Sequence, residues 1–420
     1  MCVGAGSTMS AGADRSVRML VQALDAPFVP LPMGKGVLPD SHELCASAAR
    51  GSALRGCDVA VVVGGQLNWM LGLGRPPVFA HDARFILITS DCKEASKHAW
   101  AGGDASVESE ASRGGRVHAL TLTGNIAQNC DAVVGALANQ ARIGQNDGGR
   151  PSAQEALVNK QRTEWRSKLQ AEAARRRAAL DARLTPLPSS GDITRTSPMS
   201  FFSAFGVVRS VLSRVAPEPI IVSEGANTMD MCRIVLQHES PLKKLDAGNW
   251  GTMGVGIPYA IAAALQCPER VVCAIEGDSA FGFSACEVET AARFSLRNLV
   301  VLVFNNGGVY GGDRRSPAGN PPPFSRDPAP TELSARHDLL GTALGAVGVR
   351  ARDPAELRAR LGEAMARAGA RDGTSSMRAS PTVIDIMIDP SAGTESGNLN
   401  AMNNPQVVLA ADAEDARARM

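Results

Sequence analysis

Residues 271–312 read VVCAIEGDSAFGFSACEVETAARFSLRNLVVLVFNNGGVYGG, and this stretch decides the fold. Val271 to Ile275 is an apolar run with β-branched residues, closed by the acidic turn Glu276-Gly277-Asp278-Ser279. Leu299 to Phe304 is a second such run, closed by Asn305-Asn306-Gly307-Gly308. Between them Ser284 and Glu287 stand at capping-box spacing, which predicts a helix from about Ala285 to Phe294. Strand, helix and strand, with both strands continuously apolar, predict a right-handed βαβ unit in a parallel sheet covered on both faces. Both polar clusters then fall at the carboxyl ends of neighbouring strands, where open α/β sheets bind ligands.

Asp278 and Asn306 would offer two hard oxygen donors on this rigid scaffold. Magnesium suits such a set, since it commonly takes few protein ligands and completes its octahedron with phosphate oxygens. Glycines beside both residues let a diphosphate approach the backbone, and helix amides can donate to it. Either cluster alone would suit an ordinary βαβ unit with Gly-rich turns. The two together, each ending an apolar strand, favour a metal–phosphate site.

At 420 residues the chain has room for two or more domains with ample core. Its formal charge of +1, from 43 basic and 42 acidic side chains, implies neither a nucleic-acid nor a membrane-surface footprint. An aromatic share of 4% also argues against base-stacking surfaces. The nine cysteines are scattered, with no Cys-x-x-Cys pair, which suits a reducing compartment and no structural zinc. No apolar run reaches about 18 residues, so no membrane span is expected. A cytoplasmic location is expected, with the peroxisome as the alternative, although the final Arg-Ala-Arg-Met is not a Ser-Lys-Leu type of address.

The chain divides into residues 1–144, 145–198, 199–390 and 391–420. The first part reads as one α/β domain, with strands over Asp58–Val63 and Phe85–Thr89. Its Gly4-Ala5-Gly6 turn suits either a phosphate loop or a plain strand-to-helix turn, and Gly102–Arg116 reads as a loop insertion. The second part is a link whose Ala153–Leu184 segment reads as a charged helix, with Leu157, Trp165 and Leu169 on a narrow apolar stripe. Pro186–Pro198 closes it. The third part opens with a helix from Ser200 through Ser213 and a strand over Ile220–Ser223. The Gly-rich turn and Ala-rich helix of GTMGVGIPYAIAAAL, 251–265, come next. Helices over Leu333–Ala346 and Pro354–Ala368 and a strand over Thr382–Ile388 complete it. The expected architecture is thus α/β, two doubly wound parallel-sheet domains joined by a helical linker.

GDSAFGF followed by FNNGGVYGGD resembles the magnesium–diphosphate motif of thiamine diphosphate enzymes. The wording is most similar to the branch acting on coenzyme A thioesters, oxalyl-CoA decarboxylases and 2-hydroxyacyl-CoA lyases. PLPMGKGVLPDSHEL and CDVAVVVGGQLNWMLGLG resemble the central domain of that family. The resemblance implies that Asp278, the Asn306 side chain and the Gly308 carbonyl ligate magnesium. Gly277, Ser279, Ala280, Val309 and Tyr310 would line the cofactor. The Gly251 carbonyl would accept from the aminopyrimidine, and Met253 would wedge between the cofactor's two rings. Arg297-Asn298 adds one residue before the second strand, so the metal asparagine is chosen from the Asn-Asn-Gly-Gly register. In oxalyl-CoA decarboxylases the central domain carries an adenine-nucleotide site. Asp91 is the candidate ribose partner there and ADP a possible effector, a solvated strand-end carboxylate being the alternative.

The tail DPSAGTESGNLNAMNN resembles the decarboxylase ending, which implies that Ser396 contacts the acyl group of an acyl-CoA substrate while Tyr310 stands beside the reacting centre. Asn398 stands where a basic residue is expected. The implied activity is decarboxylation of oxalyl-CoA to formyl-CoA and carbon dioxide. The alternatives are 2-hydroxyacyl-CoA cleavage to an aldehyde and formyl-CoA, and a non-catalytic cofactor-binding subunit. The family's glutamate-bearing pyrimidine domain has no counterpart in these residues, so the chain is expected to be inactive alone. A homo-oligomer, dimer or tetramer, or a chain supplying that domain is the expected partner.

Overall fold

The computed structural model describes residues 1–93, 119–146, 152–184, 199–308, 335–370 and 379–389. The chain forms two compact units, Met1–Ala179 with Gln237–Leu242, and Leu180–Leu236 with Lys243–Met420.

The first unit holds a parallel sheet of β1 (Cys2–Val3), β2 (Val29–Pro30), β3 (Val59–Val63), β4 (Arg84–Thr89) and β5 (Ala119–Thr123), in the order β2-β1-β3-β4-β5. The glycines of the β1 turn serve close packing. A Cβ on Gly6 would sit 2.9 Å from the Gly64 Cα, and one on Gly4 would collide with the Gly64 carbonyl oxygen. The turn packs against the end of β3. The predicted helix Ala153–Leu184 is present with those bounds. Its stripe is shifted: Leu169 and Ala173 are buried beside Ala49 and Ala53 with Trp165 packed on, whereas Leu157 is more than half exposed. Leu157 precedes this contact. Segment Gln237–Leu242 joins this unit through main-chain and side-chain bonds. Asp40 N donates to the His238 carbonyl at 3.0 Å, and His238 N donates to Asp40 Oδ2 at 3.1 Å.

The second unit holds a parallel sheet of β6 (Ile220–Glu224), β7 (Lys244–Asp246), β8 (Val272–Gly277), β9 (Leu299–Asn305), β10 (Val347–Ala351) and β11 (Thr382–Met387). The order is β10-β11-β9-β8-β6-β7. Every residue of β9 is buried, and successive residues enter different cores. Val300, Leu302 and Phe304 pack with Phe201, Phe205 and Leu361 on one face. Val301 and Val303 pack with Ile257, Phe281 and Val288 on the other. Period-2 alternation between two apolar layers is why this strand reads as one unbroken hydrophobic run. Phe304 is stacked between Phe205 and Phe201, with ring centroids 4.4 and 5.9 Å away.

Helix bounds follow local chemistry. Ser200 caps Phe201–Leu212 by accepting from Ser203 N, and Asp353 caps Pro354–Gly369 by accepting from Ala355 N and Glu356 N. The capping box expected at Ser284 and Glu287 does not form. Helix begins at Asp278 and runs to Ser284, and a second segment covers Glu287–Arg293. Ser284 Oγ is buried, with no hydrogen-bond partner among the described residues. Helix already precedes Ser284, so its hydroxyl has no exposed first turn to cap. Asn298, of the Arg297-Asn298 pair before β9, is a structural hub. Its side-chain amide donates to the carbonyls of Ala264, Cys267 and Arg270 at 3.0–3.3 Å.

Candidate functional site

In the second sheet the chain runs from β6 to its neighbour β7, then crosses to β8 on the opposite side of β6. This is a topological switch point, and the crevice it opens lies at the carboxyl ends of β6 and β8. Glu224 and Glu276 are register partners at those ends, followed by Gly225 and by Gly277-Asp278. Gly225 has φ +91°, and a Cβ there would lie 3.1 Å from Gly277 N and 3.3 Å from the Ala280 Cβ. Only glycine lets the two strand ends close to this distance in this conformation.

Asp278 is buried as the first residue of its helix. Its Oδ1 accepts from Ser279 N at 2.6 Å and its Oδ2 from Gly308 N at 3.1 Å, with the amides of Gly307 and Asn306 also favouring its charge. Burial outweighs these amides and pushes the carboxyl up to about 6. The turn after β9 therefore folds onto Asp278, joining the two polar clusters read in the sequence. Asn305 is committed: its Nδ2 donates to Asp385 Oδ1 at 3.0 Å, and its Oδ1 accepts from Gly307 N at 3.2 Å. Asp385 is in turn held by Arg350, whose Nε and Nη2 reach Oδ2 at 2.9 and 2.6 Å. Asn306 follows, buried at the turn itself.

Gly251 and Met253 lie in the loop before helix Gly256–Gln266, both partly exposed, and Gly251 has φ +61°. The loop is tied to β6 by Glu224, whose Oε1 accepts from Gly254 N at 2.5 Å while its Oε2 accepts from Gly256 N. Burial raises the Glu224 pKa against these amides. Glu276 is fully buried, and neither of its oxygens has a hydrogen-bond partner among the described residues. Burial and the neighbouring Glu224 charge hold its pKa well above the ordinary range. Sequence reasoning gave these two glutamates no role, although a visible signal marks them: Glu-Gly ends both β6 and β8.

The remaining predicted positions are spread. Gly277, Ser279, Ala280 and Gly308 surround Asp278, while Asp91 follows β4 in the first unit, exposed, with its Oδ1 accepting from Lys93 N at 2.8 Å. Val309, Tyr310, Ser396 and Asn398 lie outside the described residues, as does Gly102–Arg116. Among the described residues no three His, Cys, Asp or Glu side chains gather as a metal cluster. No described helix is long and apolar enough to cross a membrane.

The family profile "Thiamine pyrophosphate enzyme, C-terminal TPP binding domain" matches residues 224–385, which contain the whole strand-end site. The profile "Thiamine pyrophosphate enzyme, central domain" matches residues 1–108. The chain belongs to the thiamine pyrophosphate enzymes. Among curated relatives, 2-hydroxyacyl-CoA lyases of Arabidopsis thaliana and Oryza sativa subsp. japonica are 38% and 39% identical, each over 95% of this chain. Oxalyl-CoA decarboxylase of Escherichia coli (strain K12) is 35% identical over 96%. The chain spans 60–61% of the length of these relatives. Among solved structures, a thiamine diphosphate-dependent 4-hydroxybenzoylformate decarboxylase of Rhodococcus jostii RHA1 aligns with a TM-score of 0.58 at 18% identity. The alignment covers 93% of this chain and 61% of that one, and shows the shared fold of two parallel α/β units.

Proposed function

We propose that the protein acts with thiamine diphosphate and magnesium as a carbon–carbon lyase on coenzyme A thioesters, decarboxylating oxalyl-CoA to formyl-CoA and carbon dioxide. The supporting observation is Asp278. It is a buried carboxylate at a switch-point strand end, ringed by main-chain amides, with no cationic side chain among the described residues that shift its titration. A charge so placed is costly unless a cation joins it. A divalent ion held by one carboxylate would take its other oxygens from an amide side chain, a main-chain carbonyl and phosphate.

Asp278, the Asn306 side chain and the Gly308 carbonyl would hold the metal. Gly277, Ser279, Ala280, Val309 and Tyr310 would border the diphosphate. The Gly251 carbonyl and the Met253 side chain would meet the aminopyrimidine end. Thiamine diphosphate, when bound, supplies an electron sink for bond cleavage beside a carbonyl. The protein's part is orientation and exclusion of water, with Tyr310 and Ser396 assigned to the acyl end of the substrate. ADP at Asp91 as an effector and a homo-oligomer, or a chain supplying a pyrimidine-binding domain, complete the proposal.

Higher identity to the plant lyases than to the decarboxylase supports a second reading, cleavage of a 2-hydroxyacyl-CoA to an aldehyde and formyl-CoA. The test is calorimetry of magnesium-dependent thiamine diphosphate binding, on this chain and on a form extended upstream. Formyl-CoA release is then assayed from each thioester. Release from oxalyl-CoA alone establishes the decarboxylase, and release from the 2-hydroxyacyl-CoA alone establishes the lyase. Absence of cofactor binding by both forms sinks both.

A further inference from the structure

Glu224 stands behind the loop assigned above to the cofactor's ring, and it accepts hydrogen bonds from that loop's main-chain amides. It ends β6 and is fully buried. Its two oxygens are divided between Gly254 N and Gly256 N, and the Val255 amide also favours its charge. A Cβ on Gly256 would lie 2.8 Å from Glu224 Oε2 and closer still to Glu276 Oε1, so the carboxyl groups pack directly on the loop backbone. Gly251 and Gly254 both occupy the left-handed region, at φ +61° and +87°. A stretch with this much glycine has little intrinsic preference for one shape.

Burying a carboxylate costs more than closing the same space with an apolar side chain. What the carboxylate adds is direction. Peptide groups are planar and trans, so fixing the Gly254 N–H toward Glu224 turns the Met253 carbonyl away from it. Two such bonds on alternate residues set the orientation of the turn, and hydrogen bonds to a charged acceptor are the stronger kind. We propose that Glu224 is a positioning residue that fixes the peptide planes of the Gly251–Gly256 turn, and so sets where the Gly251 carbonyl and the Met253 side chain stand toward the aminopyrimidine. This rests on the cofactor reading given above.

The test separates ring from diphosphate. Wild type, Glu224→Ala and Glu224→Gln are titrated by calorimetry with magnesium and thiamine diphosphate, and separately with magnesium and inorganic pyrophosphate, which has no ring. The expected result is a loss of about tenfold or more in thiamine diphosphate affinity for Glu224→Ala, with pyrophosphate affinity kept within about twofold. Glu224→Gln keeps one acceptor and should fall between. Hydrogen exchange of peptides across 250–258 should quicken in Glu224→Ala without ligand, a readout independent of turnover. Equal loss of both ligands, or no loss of thiamine diphosphate affinity, overturns the proposal. If Glu224→Ala does not fold, Glu224→Gln decides by the same comparison. A wild type that binds neither ligand, both as this chain and in the upstream-extended form, overturns the cofactor reading and this proposal with it. A wild type and both variants that bind both ligands equally overturn the positioning role alone.

Discussion

Replacing Asp385 by asparagine tests the support under the candidate metal turn. Asp385 is fully buried on β11, with Arg350 in a forked pair on Oδ2 and Asn305 on Oδ1. Asparagine keeps the shape and one acceptor oxygen, which can serve Arg350 or Asn305 but not both. Removing one member of a buried ion pair costs about 3–5 kcal/mol, because the remaining charge stays buried. Arg350 retains Asp338 Oδ1 at 3.6 Å, and its side chain is 16% exposed. The loss should therefore fall to about 2–3 kcal/mol. For a domain of this size each kcal/mol lowers the melting temperature by about 2–4 °C, so Asp385→Asn should melt about 5–10 °C below wild type. Loosening Asn305 also frees the Gly307 amide that it holds, so magnesium-dependent thiamine diphosphate binding should weaken. Differential scanning calorimetry and binding calorimetry read the two effects. A melting point within about 2 °C of wild type together with unchanged cofactor affinity would refute the reasoning that this network carries the turn.

The two asparagines should separate by the same pair of measurements. Asn306→Ala should lose on the order of 100-fold in magnesium-dependent cofactor affinity, whereas Asn305→Ala should lose mainly stability. The reverse pattern would transfer the ligand role to Asn305. Glu276 predicts a pH dependence, since burial first and the Glu224 charge second raise its folded pKa. A carboxyl with a raised folded pKa contributes stability below its unfolded value and loses it as pH rises through the folded value. Stability should fall as pH rises above the ordinary carboxylate range, and Glu276→Gln should flatten that fall, as followed by denaturant melts; an unchanged slope would contradict it. In the first unit, Leu169→Ala should cost about 2–4 kcal/mol, while Leu157→Ala at its exposed position should stay within about 0.5 kcal/mol, and equal costs would mean the helix packs on another stripe.

Several features of the site were legible without coordinates because their causes are local. The β8–β9 pair follows from two apolar runs closed by polar turns, and its neighbours in the sheet enforce what the runs already prefer. The Ala153–Leu184 helix follows from composition alone. The helix expected over about Ala285–Phe294 is present as Glu287–Arg293, but without the cap: Ser284 and Glu287 have the spacing of one, yet helix is already under way at Asp278 because the chain turns tightly after Gly277. Spacing tests for a cap cannot see whether a first turn is free.

The residues 271–312 by themselves determined a parallel βαβ unit with Asp278 and the Asn305–Gly308 turn at one end, since period, turn chemistry and the family's motif all lie within one short stretch. Tertiary structure alone decided the rest. The crossing of the chain from β7 to β8 made β6 the neighbour of β8, and that put Glu224, 52 positions upstream by sheet register, beside Glu276 and behind the Gly254–Gly256 amides. It also tied Asn305 to a carboxylate on β11 that no local pattern links to it. Strand order depends on which apolar faces bury best together across the whole sheet. That is a sum over long-range contacts, and no window of sequence contains it.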